Sequence, residues 1–414
     1  PEIMLAAPSR SGGLIALAAG VAITSVLGSS YAYSVYVRPL TNLWGSAFWA
    51  SLPFSVLVAT FAFSSIMGGR LYTKKGSIKI PALLSMLLTG GGLLLSSLVE
   101  VINSPLWLVV TYGVVVGLGN GMGYVPVVAL ARKWYPDRAG LATGIVILGY
   151  GGSALAFAPL KAYLIDLFGV GLTFAIVGLI SFAVGVPAAI IVRDPPQEVV
   201  AYFSRFAKGR AVIPKRDYKP EEAVRTLDFQ LLWISFLLTA GRGLMLIGHM
   251  AKLAELNNIP NPPLTVSVFS LMNALGRPPA GWISDRLGKF GRPITMGIFF
   301  TIQSLLFYAL STPLAEIPWL FYFIVAVLGF IYGSAIALFP AATGDFFGLK
   351  YLSENYALVF ISWGVSGLVF PTLGGYIKDL TGGYWPVLVL SSILSVAGAA
   401  ISLYLKKRLT LYLQ

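Results

Sequence analysis

TVSVFSLMNALGRPP, residues 265–279, decides how the chain is read. The surroundings stay apolar from 263 to 287, long enough for a helix to cross a hydrocarbon core of about 30 Å. Near the middle stands Arg277. A guanidinium at that depth is expensive in lipid, so it must face protein or a water-filled cavity, and such a residue points to function. Ser270, Asn273 and Arg277 recur at spacings of three and four and share one helix face, which Ser284 continues. Pro278 and Pro279 follow at once. Neither can donate the amide bond four residues back, which predicts freed carbonyls at Ala274 and Leu275 and a bend. A polar stripe carrying a fixed cation resembles the wall of an anion-binding site; the alternative is an arginine that pairs with helix ends or snorkels to a surface.

Composition sets the class. Of 414 residues 57% are hydrophobic and only 11% charged, and the mean hydropathy is +0.81. That is an integral membrane protein, and apolar runs longer than 18 residues make its spans helices. The residues predict an all-α membrane protein with twelve spans: 12–37, 47–72, 78–99, 106–132, 139–166, 171–193, 229–256, 263–287, 293–312, 318–347, 354–380 and 384–406. The first is too long for the apolar core of a signal peptide. Residues 194–228 are polar and basic, with Arg205, Lys208, Arg210, Lys215, Arg216 and Lys219, and read as a linker with a surface-lying helix. Three parts follow: 1–193, 194–228 and 229–414.

The net charge of +13 does not call for nucleic acid, because the cations are sorted. Arg10, the loops at 70–79, 132–138 and 286–292, the linker, Lys350 and the tail at 406–408 share one side, while Arg38, Lys252 and Lys378 lie on the other. By the positive-inside rule the rich side and both termini are cytoplasmic, in the plasma membrane.

The halves repeat at a constant offset of 212 positions: Gly69 with Gly281, Pro81 with Pro293, Pro159 with Pro371. Around the first pair GGRLYTKKG (68–76) matches AGWISDRLG (280–288). Six spans per half predict two parallel, pseudo-symmetric bundles that rock about a site between them.

Within the spans the polar groups are few. Arg242, flanked by Gly241 and Gly243, rivals Arg277 and could pair with carbonyls at a local helix break. His249 is the one histidine and a candidate proton carrier. Lys161 is close enough to the outer end of its span to snorkel. None of the sixteen acids falls near the centre of a span, so a midplane carboxylate relay is not available. The glycines at 117–123 follow no strand and serve close helix packing, not phosphate binding. One histidine and no cysteine leave little for a metal or nucleophile site, and no hydrolase or nucleotide motif occurs. An enzyme is not expected, nor a cofactor.

These residues resemble a known family. The duplicated twelve-span plan and the 280–288 loop, with Gly281, Asp285 and Arg286, look like the major facilitator superfamily and its gating loop. RKWYPDRAGLATG (132–144) is similar to the segment leading into span five of the monocarboxylate transporters and of the related oxalate:formate antiporter. Tyr31-Ala-Tyr, Ala337-Leu-Phe-Pro340 and Asn355-Tyr356 fit the same group. The resemblance implies a bacterial homologue of the proton-linked lactate transporters, in the inner membrane and monomeric. It implies that Arg277 binds the substrate carboxylate, that Asn273 stands at a proton-coupling aspartate, and that Tyr31, Tyr124, Tyr332 and Phe360 line the cavity. Trp363 replaces a lysine of the oxalate antiporter, and Val35 lies near a lysine of the animal transporters. The expected activity is symport of a small monocarboxylate with protons, with Asn273, His249 and Arg277 as coupling candidates. The alternatives are an anion exchanger of the oxalate:formate type and a transporter-like sensor or channel.

Overall fold

The computed structural model describes residues 10–207 and 216–410. Lys208, Arg210 and Lys215 of the predicted linker lie outside the described residues. Every regular element among the described residues is helical, as a chain buried in lipid requires when each amide must find its partner locally.

Ten helical stretches are long and apolar enough to cross a membrane. One of them, Pro136–Ile191, has 56 residues, about 84 Å at 1.5 Å per residue and far beyond one crossing. It turns back at Gly169, where φ is +80°, a conformation that a side chain would strain. The Glu100 carboxylate accepts the Val170 amide there (3.0 Å). The stretch therefore holds spans 5 and 6, at 139–168 and 170–191. Pro262–Arg286 forms one helix but is not among the ten, because its polar stripe and prolines lower its hydropathy. It is span 8, and twelve spans result. The others are span 1 (Ser11–Gly28), span 2 (Ala47–Lys75), span 3 (Lys79–Ser96), span 4 (Pro105–Trp134) and span 7 (Leu227–Leu256). Span 9 (Gly291–Leu310), span 10 (Pro318–Phe347), span 11 (Leu352–Thr381) and span 12 (Trp385–Leu409) complete the set. Helix Gln197–Ala207 follows span 6. The helix continues through Pro278 and Pro279 to Arg286.

Lipid gives little hydrophobic drive between helices, so close packing and hydrogen bonds join them. Span 4 shows how its glycines serve this. A Cβ at Gly117 would lie 2.8 Å from Thr60 of span 2, and one at Gly119 would lie 2.9 Å from the Ser85 carbonyl oxygen of span 3. Ser85 Oγ in turn donates to the Gly119 carbonyl (2.6 Å). In the second half Arg408 grips Asp228 with two bonds, 2.5 and 3.0 Å, joining the end of span 12 to the start of span 7.

The two six-helix bundles meet along spans 5 and 8 and along spans 2 and 11, pairs that the internal repeat interchanges. Its glycines sit on these seams. Gly281 packs backbone to backbone on Gly140, and a Cβ at Gly69 would lie 2.7 Å from the Ser353 carbonyl oxygen.

Candidate functional site

Between the bundles lies a small cavity of about 10 Å³, room for roughly one water. Tyr31, Phe61, Tyr124 and Tyr150 line it from the first bundle; Arg277, Ile336, Phe360 and Trp363 line it from the second. Arg277 is the one charged residue of the set. The aromatic rings close it across the seam. Phe61 and Phe360 have centroids 5.1 Å apart, Tyr124 and Phe360 5.4 Å, and Phe360 stacks on Trp363 at 5.2 Å and 11°. Tyr31 meets Tyr150 edge-on at 4.8 Å.

Arg277 is 1% exposed and lies across the seam. Its Nη1 donates to the Ile147 carbonyl of span 5 (2.6 Å), and its Nη2 to Asn273 Oδ1 one turn earlier (3.2 Å). Nε has no partner. Gly151 makes the space, because a Cβ there would run into the guanidinium. Where a continuous helix such as span 5 offers its carbonyls to its own amides, one of them here also accepts a charged donor from the other bundle.

The predicted residues divide. Tyr31, Tyr124, Phe360 and Trp363 join Arg277 at the cavity. Asn273 stands behind it as the guanidinium's acceptor. Tyr332 is outside the lining set, with its ring against Gly243 and its hydroxyl buried without a hydrogen-bond partner. His249 lies elsewhere, with Nδ1 3.0 Å from the Tyr384 hydroxyl and Nε2 2.9 Å from the Pro371 carbonyl. The carbonyl can only accept, so Nε2 carries the proton and Nδ1 accepts from the phenol.

Arg242 does not lie at a helix break, for span 7 is continuous. Its partners are Gln303 Oε1 (3.0 Å) and Thr239 (3.5 Å), on the side of spans 7 and 9, and its Nε and Nη1 have none. Lys161 does not snorkel. It is 0% exposed, because side chains on a helix lean toward its N-terminus, which carries this ammonium back into the bundle. The residues missed at the cavity are Phe61, Tyr150 and Ile336. Of these only Tyr150 carried a signal, a phenol in mid-span between Gly149 and Gly151.

At the end where the basic loops gather, a buried charge cluster spans the seam. Arg132 of span 4 pairs with Asp345 of span 10 (2.6 Å) and also donates to the Ala341 carbonyl. Arg292 lies between Asp345 (3.5 Å) and Asp285 (2.6 Å). Asp285 then accepts the amides of Gly140 (3.1 Å) and Leu141 (3.0 Å) at the start of span 5, where the helix dipole favours a carboxylate. So Asp285 and Gly281 of the predicted gating loop do sit at the seam. Arg286 does not: it stacks on the Trp282 ring at 3.9 Å, and Arg292 takes the place expected of it. The repeat puts Thr73 opposite Asp285 in the first half, so the second seam lacks this carboxylate.

Comparison with known proteins agrees with this architecture. The chain is 27% identical to the oxalate:formate antiporter of Oxalobacter formigenes over 388 residues, 93% of this chain and 89% of that protein. It is 25% identical to monocarboxylate transporter 12-B of Danio rerio over 385 residues, 86% of this chain and 78% of that one. The fold superposes on the Escherichia coli fucose:proton symporter FucP with a TM-score of 0.67 at 11% identity, covering 95% of this chain and 99% of that one. Residues 12–257 and 260–411 match the Major Facilitator Superfamily, and the chain belongs to that family of membrane transporters, which are not enzymes.

Proposed function

We propose that the chain is a secondary active transporter of small monocarboxylates such as L-lactate and pyruvate, working by proton symport with alternating access. One observation carries the reading: a lone buried arginine faces an aromatic cavity between the two bundles and leans on the opposite bundle for a hydrogen bond. A carboxylate is a stronger acceptor than a peptide carbonyl and fits the planar fork bidentately. Entering, it replaces the Ile147 carbonyl as partner of Arg277 and loosens the seam at the site. A lactate needs several times the space of one water, so this loosening and the widening of the cavity go together. Tyr31, Tyr124 and Tyr150 supply hydroxyls for the substrate's own hydroxyl or keto group.

In this reading residues 1–193 and 229–414 move as two bodies joined by 194–228. The basic end faces the cytoplasm of a bacterium, and the Arg132–Asp345–Arg292–Asp285 cluster closes that side. The kinship with the oxalate:formate antiporter supports a second reading, carboxylate exchange. Purified protein in liposomes separates the two. Symport gives uptake of labelled L-lactate driven by an inward proton gradient into vesicles without internal substrate. Exchange requires carboxylate inside, and uptake only under counterflow would replace the symport reading.

A further inference from the structure

The most isolated charge in the first bundle is Lys161, on span 5. It lies 14 residues beyond Ile147 (161 − 147), about 21 Å along the helix, and does not line the cavity. Among the described residues no carboxylate pairs with it. Its Nζ donates to the Ser29 carbonyl (2.7 Å) and sits 5.0 Å from the centroid of the Tyr36 ring. Tyr33 and Tyr112 stand around that ring with Phe174. Arg38 and Asp166 are exposed, and Glu100 is engaged by the Val170 amide. An ammonium taken out of water with only a carbonyl and a ring face as partners costs free energy that an apolar side chain would not.

What it holds is the point where span 1 changes. After Gly28 the chain winds as a tighter turn, Ser29–Ala32. The Tyr33 amide, which a continuing α-helix would give to the Ser29 carbonyl, bonds the Ser30 carbonyl instead (3.0 Å). The Ser29 oxygen, without that amide, accepts the Lys161 ammonium. The turn is tied on its other face as well: Ser30 Oγ is 3.0 Å from the Tyr150 hydroxyl, which donates to Asn120 Oδ1 (3.1 Å). Tyr31, the residue that directly follows these two ties, enters the cavity with Arg277.

We propose that Lys161 is a positioning residue for the substrate site: its ammonium pins the Ser29–Ala32 turn and so sets the direction in which Tyr31 enters the cavity. Arg277 and Lys161 then have separate tasks. Arg277 meets the substrate, and Lys161 fixes the opposing wall without touching it. The inference rests on the proposed function only for its transport probe, L-lactate.

The test has a substrate-free arm. The sequence has no cysteine, so Ala32→Cys, at a position 1% exposed, gives a single label site on the turn. Lys161→Met should speed its maleimide labelling about tenfold, and Lys161→Arg, which keeps a charged donor, should not. Ala335→Cys, a buried site in span 10, serves as control and should be unaffected. In the transport arm Lys161→Met should raise KM for L-lactate at least fivefold with a smaller change in Vmax. Combined with Tyr31→Phe it should add less than the product of the single effects, since both act on one contact. Unchanged labelling of Ala32→Cys in Lys161→Met overturns the proposal whatever is transported. Faster labelling at both cysteines also overturns it, as general loosening. If Lys161→Met does not yield monodisperse protein, Lys161→Gln replaces it under the same criteria. Faster labelling at the turn with no lactate uptake in any variant leaves the pin standing and overturns the lactate reading instead.

Discussion

The guanidinium of Arg277 in the second bundle donates to the carbonyl of Ile147 in the first, across 2.6 Å. The central cation of the cavity is thus also a fastener between the two halves, and whatever anion it binds competes with that fastening. We expect Arg277→Ala to lose most transport and about 3 kcal/mol of substrate binding, roughly a hundredfold, since hydrogen bonds to charged groups contribute about 1.5–3 kcal/mol each. Arg277→Lys should also fail, for it keeps the charge but not the planar fork. Both should still reach the membrane. Uptake and surface expression check this, and near-normal uptake with Arg277→Ala would shift the assignment to Arg242.

Gly151 offers a finer probe. A methyl group there would overlap the guanidinium, while alanine is the better residue for the helix itself. Gly151→Ala should therefore fold and insert as the wild type does, yet bind substrate at least tenfold more weakly. A ligand titration beside a thermal melt separates the two effects.

The charge cluster at the basic end bears on the transport cycle. Arg132 and Asp345 are both 3% exposed, and removing one member of such a buried pair costs about 3–5 kcal/mol because the other charge is stranded. That is enough to invert a two-state population. Arg132→Ala and Asp345→Asn should both open the basic end, read as faster labelling of a lone cysteine at Thr143, which is buried on span 5. Uptake should fall in both, because the protein then rests with the opposite side closed. Unchanged labelling at Thr143→Cys would mean that the cluster does not hold the seam.

Much of this was legible in the residues, for identifiable reasons. Span lengths follow from hydropathy, and Arg277 stands out because a guanidinium in mid-span is costly in lipid, with pairing at helix ends or snorkelling as the alternative. Gly69 and Gly281 were visible as a repeat, although only the structure gives them a purpose, close backbone approach between the two bundles. Phe61 and Ile336 were not legible, since one apolar residue in an apolar helix looks like any other until the helices are placed. The Arg132–Asp345 pair was hidden differently: both lie near span ends, where charges read as ordinary interfacial anchors. Lys161 misled because distance to the membrane surface was weighed and side-chain direction was not.

Substrate size and charge follow from the cavity lining. It offers one cation, with Trp363 on the wall of span 11. Monocarboxylates of two to four carbons should compete with labelled L-lactate, and oxalate should not, because its second carboxylate would be desolvated without a partner. A competition panel decides, and tight oxalate binding would overturn the monocarboxylate assignment.

The last expectation concerns protons. His249 is held at both nitrogens, with Nε2–H given to the Pro371 carbonyl and Nδ1 taken by the Tyr384 hydroxyl. The ring is not part of the cavity. Asn273 has no ionisable group, and Arg277 serves the carboxylate. The simplest carrier is the bound substrate. Lactate beside Arg277 is a near-neutral pair. If it leaves the guanidinium, burial favours the protonated acid, and protonation weakens the attraction that would draw it back. Uptake should accordingly rise with an inward proton gradient and keep that response in His249→Ala. Lactamide, neutral at every pH, should neither compete nor be carried. The measurement is pH-dependent uptake into liposomes by wild type and His249→Ala. Loss of the pH response in the variant, with substrate binding intact, would make the histidine the carrier and remove the substrate from that role.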